Sequence, residues 1–229
     1  MSRRKKKTSK HSLKLTMIDE PMSVVAEQYR TIRTNIQFSS VDTIVKTIMV
    51  TSANMSEGKS TTVSNLAVAF AQQGKKVLLI DADLRKPTLQ YIFNLKNSVG
   101  LSSVLSWRSQ LADCINNTDI PDLDVITSGP IPPNPSELLG SNSMKSLLTS
   151  LKSSYEIILI DSPPLLPVTD AKVLGGIVDG LILVLKSGST EIEDLKKVKA
   201  MIDGISAKIL GTVLNKKKVK TSHDYGYYH

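Results

Sequence analysis

The chain has 229 residues, 41% hydrophobic and 22% charged, enough for one sizeable α/β core, and no internal repeat or interior linker divides it. Its net charge of +8 sits in the tails: residues 1–14 carry +7 and residues 216–229 carry +3, which leaves the body near −2 and favours an anionic surface or acidic partner over a nucleic-acid groove. The single cysteine, Cys114, excludes an intrachain disulfide and suits a reducing cytosol; no run approaches the roughly 18 apolar residues of a membrane span.

Residues 1–19 read as a basic, flexible arm, which as a like-charge run is either a solvated tail or a contact for an anionic surface. Residues 20–38 read as an amphipathic helix beginning near Pro21, with Val24, Val25, Ile32 and Ile36 among its apolar positions. Glu27, Arg30 and Arg33 follow at spacings of three along one side, either as i,i+3 surface pairs or as a charged stripe that docks on another subunit.

The stretch KTIMVTSANMSEGKST, residues 46–61, organises the rest: a β-branched strand, a small-residue loop and a helix start. Backbone N–H groups from Ser56, Glu57, Gly58, Lys59, Ser60 and Thr61 suit phosphate oxygens, Gly58 allows close approach, Lys59 reaches the β/γ-phosphates, and Ser60 offers a hydroxyl to magnesium. Ala53 stands where the usual phosphate-loop spacing has its first glycine. A helix over 61–73 closes on Gly74, and the apolar strand Val77-Leu78-Leu79-Ile80 ends in Asp81 and Asp83. Ligands of open α/β sheets bind outside the carboxyl ends of strands, so both acids share an end with the phosphate loop, and Arg85 and Lys86 place cations beside them.

Residues 88–120 read as short helices and loops without evident chemistry, and 123–127 as a strand. The proline-rich loop 128–135 that follows is either a wall of the site or a stiff connector. A second apolar strand, 156–160, ends in Asp161, where a carboxylate can hold a metal-bound water. A helix at 170–178, a strand at 181–185, a charged helix near 190–203 and a strand at 208–215 complete a doubly wound, mostly parallel sheet. Asn215 can hydrogen-bond a nucleotide base, and Lys218, where a guanine site carries an acid, favours adenine. Residues 216–229 form a basic tail in which Tyr225, Tyr227 and Tyr228 are three of the six tyrosines, too exposed in pattern to be core.

Taken together, EGKST at 57–61, LLIDADLRKP at 78–87, IILIDSPP at 157–164, GPIPPNPSELL at 129–139, the Glu27/Arg30/Arg33 spacing and the tyrosine cluster resemble the bacterial tyrosine kinases, in the Gram-positive form whose kinase chain is separate from its membrane activator. Partition and septum-positioning ATPases are similar in the loop, but they carry a signature lysine where this chain has Asn54, and they lack the tyrosine tail. The resemblance implies a P-loop NTPase fold over 20–215 and transfer of phosphate from Mg-ATP to protein tyrosine. Lys59 would neutralise phosphate charge, Ser60, Asp81 and Asp161 would hold Mg2+ directly or through its waters, Asp83 would take the tyrosine proton, and Arg85 would add positive charge. It further implies autophosphorylation of Tyr225, Tyr227 and Tyr228 between subunits of a ring whose contact includes Glu27, Arg30 and Arg33. The expected setting is cytoplasmic, recruited to the inner membrane face by an activator of the chain-length-determinant class, with a phosphotyrosine phosphatase and external protein-tyrosine substrates, in capsule or exopolysaccharide synthesis.

Overall fold

The computed structural model describes residues 15–39 and 44–217; the basic arm 1–14 and Tyr225, Tyr227 and Tyr228 lie outside the described residues. Its strands are β1 (Thr47–Ser52), β2 (Val77–Asp81), β3 (Ile115–Asn117), β4 (Leu123–Ile126), β5 (Ile157–Asp161), β6 (Gly180–Lys186) and β7 (Lys208–Asn215). They form one sheet in the order β3-β4-β2-β5-β1-β6-β7, parallel throughout except for the β3–β4 pair. The architecture is the mostly parallel α/β sheet expected of a P-loop NTPase, with one addition. β3, the sequence Ile-Asn-Asn, is too short to show any alternation and exists because β4 offers it an unpaired edge.

The strands read as continuous apolar runs because both faces are covered, yet their side chains still alternate. Ile48, Val50, Leu79, Leu159, Ile182 and Val184 enter one core, and Met49, Leu78, Ile80, Ile158, Ile160 and Leu181 enter the other. Each such side chain taken from water contributes about 1.5–3 kcal/mol. On the first face lies the Lys59–Ala71 helix, with 11 of its 13 residues buried. It lacks a polar stripe because the Val24–Ser39 helix covers its outer side, contributing Ala26, Tyr29 and Ile36 to the same core. On the second face the Asn142–Leu151 helix buries Met144, Leu147, Leu148 and Leu151, one stripe at helical spacing.

The N-terminal segment corrects three expectations. Residues 15–19 do not belong to a flexible arm: Thr16–Asp19 is a helix, and Met17 is buried in the first core with its amide donating to Asn65 at 3.0 Å. The Val24–Ser39 helix corrects the other two. It starts at Val24, because Ser23 Oγ accepts the Ala26 amide at 3.2 Å and caps it a turn after Pro21. Val24 and Val25 are exposed, at 50% and 47%, since the buried row runs through 26, 29 and 36 instead. Nor do the three charges share one solvent-facing stripe. A step of three residues falls about 60° short of a full turn, so two steps carry the row well around the helix. Glu27 and Arg30 pair on the surface at 3.0 Å, whereas Arg33 lies toward the neighbouring helix and its Nη1 donates to the Ala69 carbonyl at 3.1 Å.

Candidate active site

The phosphate loop leaves β1 and turns twice through left-handed backbone, Ser56 at φ +62° and Gly58 at φ +100°, before the helix opens at Lys59. Successive turns of this kind aim N–H groups into one concavity, which suits anions. A Cβ on Gly58 would stand 1.9 Å from Asn215 Nδ2, the amide that donates to the Glu57 carbonyl at 2.9 Å. Gly58→Ala therefore carries two penalties, strain at positive φ and displacement of Asn215. A loss of about 1–3 kcal/mol in stability is expected by thermal or denaturant unfolding. Equal stability of the two proteins would refute the close packing of loop and strand end.

Asn215 is thus a brace of the loop as well as a cavity-lining residue: its Nδ2 is engaged with Glu57, and its Oδ1 accepts the Lys216 amide. Glu57 departs further from expectation. Its carboxylate is buried and turned inward, accepting the Asn54 amide at Oε2 and the Thr190 hydroxyl at Oε1, and it does not line the cavity. The Asn54 side chain donates to Asp194 at 2.6 Å. Sequence spacing could not show these partners, since Thr190 and Asp194 lie more than a hundred residues beyond the loop.

Register brings the acids together. In the β2–β5 pair Asp81 stands opposite Asp161, and in the β1–β5 pair Val50 does, so Asp161 sits between β2's acid and the strand that feeds the loop. All three carboxylates, Asp81, Asp83 and Asp161, are buried. Their hydrogen bonding differs. Asp81 accepts three backbone amides, from Asp83 at 3.2 Å and from Thr88 and Leu89 at 3.0 Å each, which fix the turn from 83 to 89. A carboxylate has about four acceptor positions, so Asp81 keeps about one. Asp83 accepts the Lys86 amide at one oxygen and the Lys59 ammonium at the other, both at 3.0 Å. Asp161 has no hydrogen-bond partner on either oxygen.

Burial and mutual charge set the titration of this group. Burial pushes the Asp81 carboxyl up to about 8, with the charge of Asp161 adding and the Leu89 and Thr88 amides opposing. Burial also raises Asp161, to about 6, against the charge of Lys59 and the nearby hydroxyls of Ser60 and Thr88, neither of which completes a hydrogen bond of normal geometry to it. Burial alone would lower the Lys59 ammonium, but the charges of Asp161 and Asp83 outweigh it and raise it. Desolvated negative charge without enough partners is what a cation relieves. Asp161 and the Ser60 hydroxyl fit a magnesium ion best, and Asp81 has less capacity left for a metal-bound water. Among the described residues no cluster of three or more His, Cys, Asp or Glu is placed to hold a metal, so hydroxyl, water and phosphate oxygens would have to complete its shell.

Beside these groups lies a cavity of about 600 Å³ lined by Ser56, Gly58, Lys59, Ser60, Asp83 and Asn215, while Asp81 and Asp161 are not among its lining residues. Its wall is Pro163, Pro164, Pro167 and Val168, the segment after Asp161, and not the proline-rich loop 128–135. That loop leads instead into Ser136, whose hydroxyl donates to Asp170. Arg85 also reaches Asp170, through Nε at 2.8 Å and Nη2 at 3.0 Å, so its guanidinium ties the turn after β2 to the Asp170–Gly175 helix while still lining the cavity. Thr88 borders the cavity and holds Asp81 through its amide, and nothing in its sequence spacing distinguishes it as a candidate.

Residues 45–216 match the family described as "AAA domain". Over 228 residues the chain is 50% identical to the tyrosine-protein kinase YwqD of Bacillus subtilis (strain 168), covering 100% of this chain and 96% of that one. The chain belongs to the bacterial tyrosine-protein kinases. The kinase domain of the Escherichia coli tyrosine kinase ETK superposes with a TM-score of 0.86 at 34% identity, over 94% of this chain and 86% of that one. The cell division ATPase MinD of Pyrococcus furiosus is more distant, at TM-score 0.63 and 28% identity over 74% and 71% of the two chains. Membership makes this kinase chain a protein-tyrosine phosphotransferase, with a nucleotide-binding fold shared with the ATPases. No helix among the described residues is long and apolar enough to cross a membrane.

Proposed function

We propose that this kinase transfers the γ-phosphoryl group of ATP to tyrosine, with Tyr225, Tyr227 and Tyr228 as its own acceptors. The observation that carries the reading is the Lys59–Asp83 contact, 3.0 Å at the helix end of the phosphate loop and largely buried on both sides. Lys59 has one ammonium for two tasks. Turned toward the β/γ-phosphates, it neutralises charge that grows during transfer, and it uncovers Asp83 Oδ2. Asp83 Oδ2 is then an available acceptor for the phenolic proton, which at neutral pH is still present because tyrosine titrates near about 10. The loop amides of residues 56–61 orient the phosphates, while Asn215 and Glu57 keep the loop in shape. Magnesium, bound at Ser60 and through water to Asp161 and the remaining position of Asp81, would supply charge neutralisation at the phosphates. Arg85, held by Asp170, contributes its charge from a fixed position at the cavity's edge.

Three sequence features extend the reading beyond the site. The tyrosine cluster lies next to a lysine run, so a phosphorylated tail gains nearly two negative charges per tyrosine and changes its attraction for neighbours. A tail that reacts in a neighbouring subunit requires a head-to-tail arrangement, which closes into a ring when the rotation permits, with Glu27 and Arg30 at the exposed contact and Arg33 supporting the helix from within. Residues 20–215 and 216–229 then act as catalytic domain and acceptor tail, and the basic arm shortens to 1–14, because Thr16–Asp19 is a helix whose Met17 is buried in the core. Such a kinase would work in the cytoplasm at the inner membrane face with a polysaccharide chain-length-determinant activator, and a phosphotyrosine phosphatase would reset it, in control of capsule or exopolysaccharide synthesis. Nucleic acid is not among the expected partners, given the near-neutral body.

The test incubates the full chain with magnesium and γ-labelled ATP, with and without a cytoplasmic activator peptide. Label on tyrosine that is lost on deleting residues 225–229 is expected. Free phosphate without labelled tyrosine would instead indicate an ATPase switch of the partition or septum type. Light scattering is expected to show the oligomer shrinking after full phosphorylation; an unchanged mass would sink the ring-release idea.

A further inference from the structure

Two oxygens of Asp161 lie buried without partners, and a third orphan stands beside them. Thr88 Oγ1 is also inaccessible to solvent and makes no hydrogen bond. The residue lines the same cavity as Ser60 and Lys59. Asp81, which holds the Thr88 amide, stands opposite Asp161 across the β2–β5 pair, so the hydroxyl and the Asp161 carboxylate share one neighbourhood. Its position is not left to side-chain packing, because the Thr88 amide donates to Asp81 Oδ2 at 3.0 Å and pins the backbone. A buried hydroxyl without a partner costs stability unless something completes it. Here the surroundings are two carboxylates, an ammonium and a serine hydroxyl, a set that would receive a hydrated cation.

We propose that Thr88 is a positioning residue of the cation site, its hydroxyl holding a metal-bound water while donating to Asp161. A hydroxyl has one proton to give and two lone pairs to receive with. Donation to an Asp161 oxygen leaves Oγ1 free to accept from a water whose protons are made acidic by the metal. Thr88 would thus do for the metal shell what Asp81, occupied by three amides, has little capacity left to do. This rests on reading the cavity as a metal–nucleotide site but not on tyrosine being the acceptor.

The experiment uses the full chain with ADP and Mn2+, the bound manganese being read by electron paramagnetic resonance. Thr88→Val removes the hydroxyl at nearly constant shape, and Thr88→Ser keeps it. Nucleotide-dependent Mn2+ affinity is expected to fall about 10–100-fold in Thr88→Val, as for other residues that orient a metal's outer shell, and to stay within about 3-fold in Thr88→Ser. ADP binding in excess chelator should be equal in all three proteins. Unchanged Mn2+ affinity in Thr88→Val, or equal loss in both variants, overturns the assignment. Failure of the unaltered chain to bind Mn2+ with ADP would overturn the metal–nucleotide reading itself. Phosphate release without phosphotyrosine would overturn only the choice of acceptor.

Discussion

Lys59→Met is expected to lower tyrosine phosphorylation by at least about 10²–10³-fold, the range seen when one preorganised charge-stabilising group is removed from a site of this kind. The substitution also leaves Asp83 with one of its two partners missing and removes the cation that offsets Asp161 and Asp81. Both members of the Lys59–Asp83 pair are nearly enclosed, with side chains 12% and 5% exposed, so solvent compensates little. Breaking such a pair costs on the order of 1–3 kcal/mol, several degrees in melting temperature for a chain of this length. Lys59→Arg separates the two roles. It keeps the charge and should recover much of the stability, but its planar fork cannot follow an ammonium from Asp83 to a phosphate, so activity should stay low. A Lys59→Met protein that melts like the unaltered chain would contradict the ion-pair geometry, and one that still labels tyrosine would contradict the assigned role.

Asp161→Asn is expected to move activity and stability in opposite directions. Removing the unpartnered carboxylate takes away the oxygens best placed for the metal, and metal-dependent activity should fall by about 10–100-fold. Without metal and nucleotide, the same change relieves a buried charge and its repulsion with Asp81, and a gain of about 0.5–2 kcal/mol follows, as is common when a strained functional site is neutralised. The pH dependence has a definite sign. Asp81 and Asp161 titrate in the folded protein at about 8 and about 6, above the ordinary 3.8, so between pH 4 and 8 the folded state binds more protons than the unfolded one. Their contribution to stability is complete below about pH 4 and is lost as pH rises through 6 and 8. The variant should therefore gain most over the unaltered chain near pH 8 and least near pH 4. Denaturant unfolding at both pH values measures this, and a variant less stable at pH 8 would show that Asp161 is not an uncompensated charge.

Much of this molecule is legible in one dimension because its physics is local. An apolar run that ends in an acid must be a strand with its acid at one rim, and Gly-Lys-Ser after such a run must open a helix with free N–H groups. Those two facts placed Lys59, Ser60, Asp81, Asp83 and Asp161 at one end of a mostly parallel sheet, and the tyrosine tail with the Asn54 substitution separated kinase from ATPase. Helical spacing was less informative for Glu27, Arg30 and Arg33, because three residues are not a full turn and the drift carries Arg33 inward.

What only the tertiary structure decided is how each polar group is satisfied. Hydrogen-bond partners come from whatever the fold places alongside, and those neighbours are remote in sequence. Glu57 meets Thr190, Asn215, read from sequence as a base contact, meets the phosphate loop, and Arg85 meets Asp170. Asp81 and Asp161 have the same sequence context, an acid ending an apolar strand. Yet the turn after β2 folds back to give Asp81 three amides, while the segment after β5 runs on along the phosphate loop, its Leu165 amide donating to Ser52, and gives Asp161 none. Strand patterns set where a carboxylate stands; the path of the chain beyond it sets whether that carboxylate is already occupied or still open to a cation.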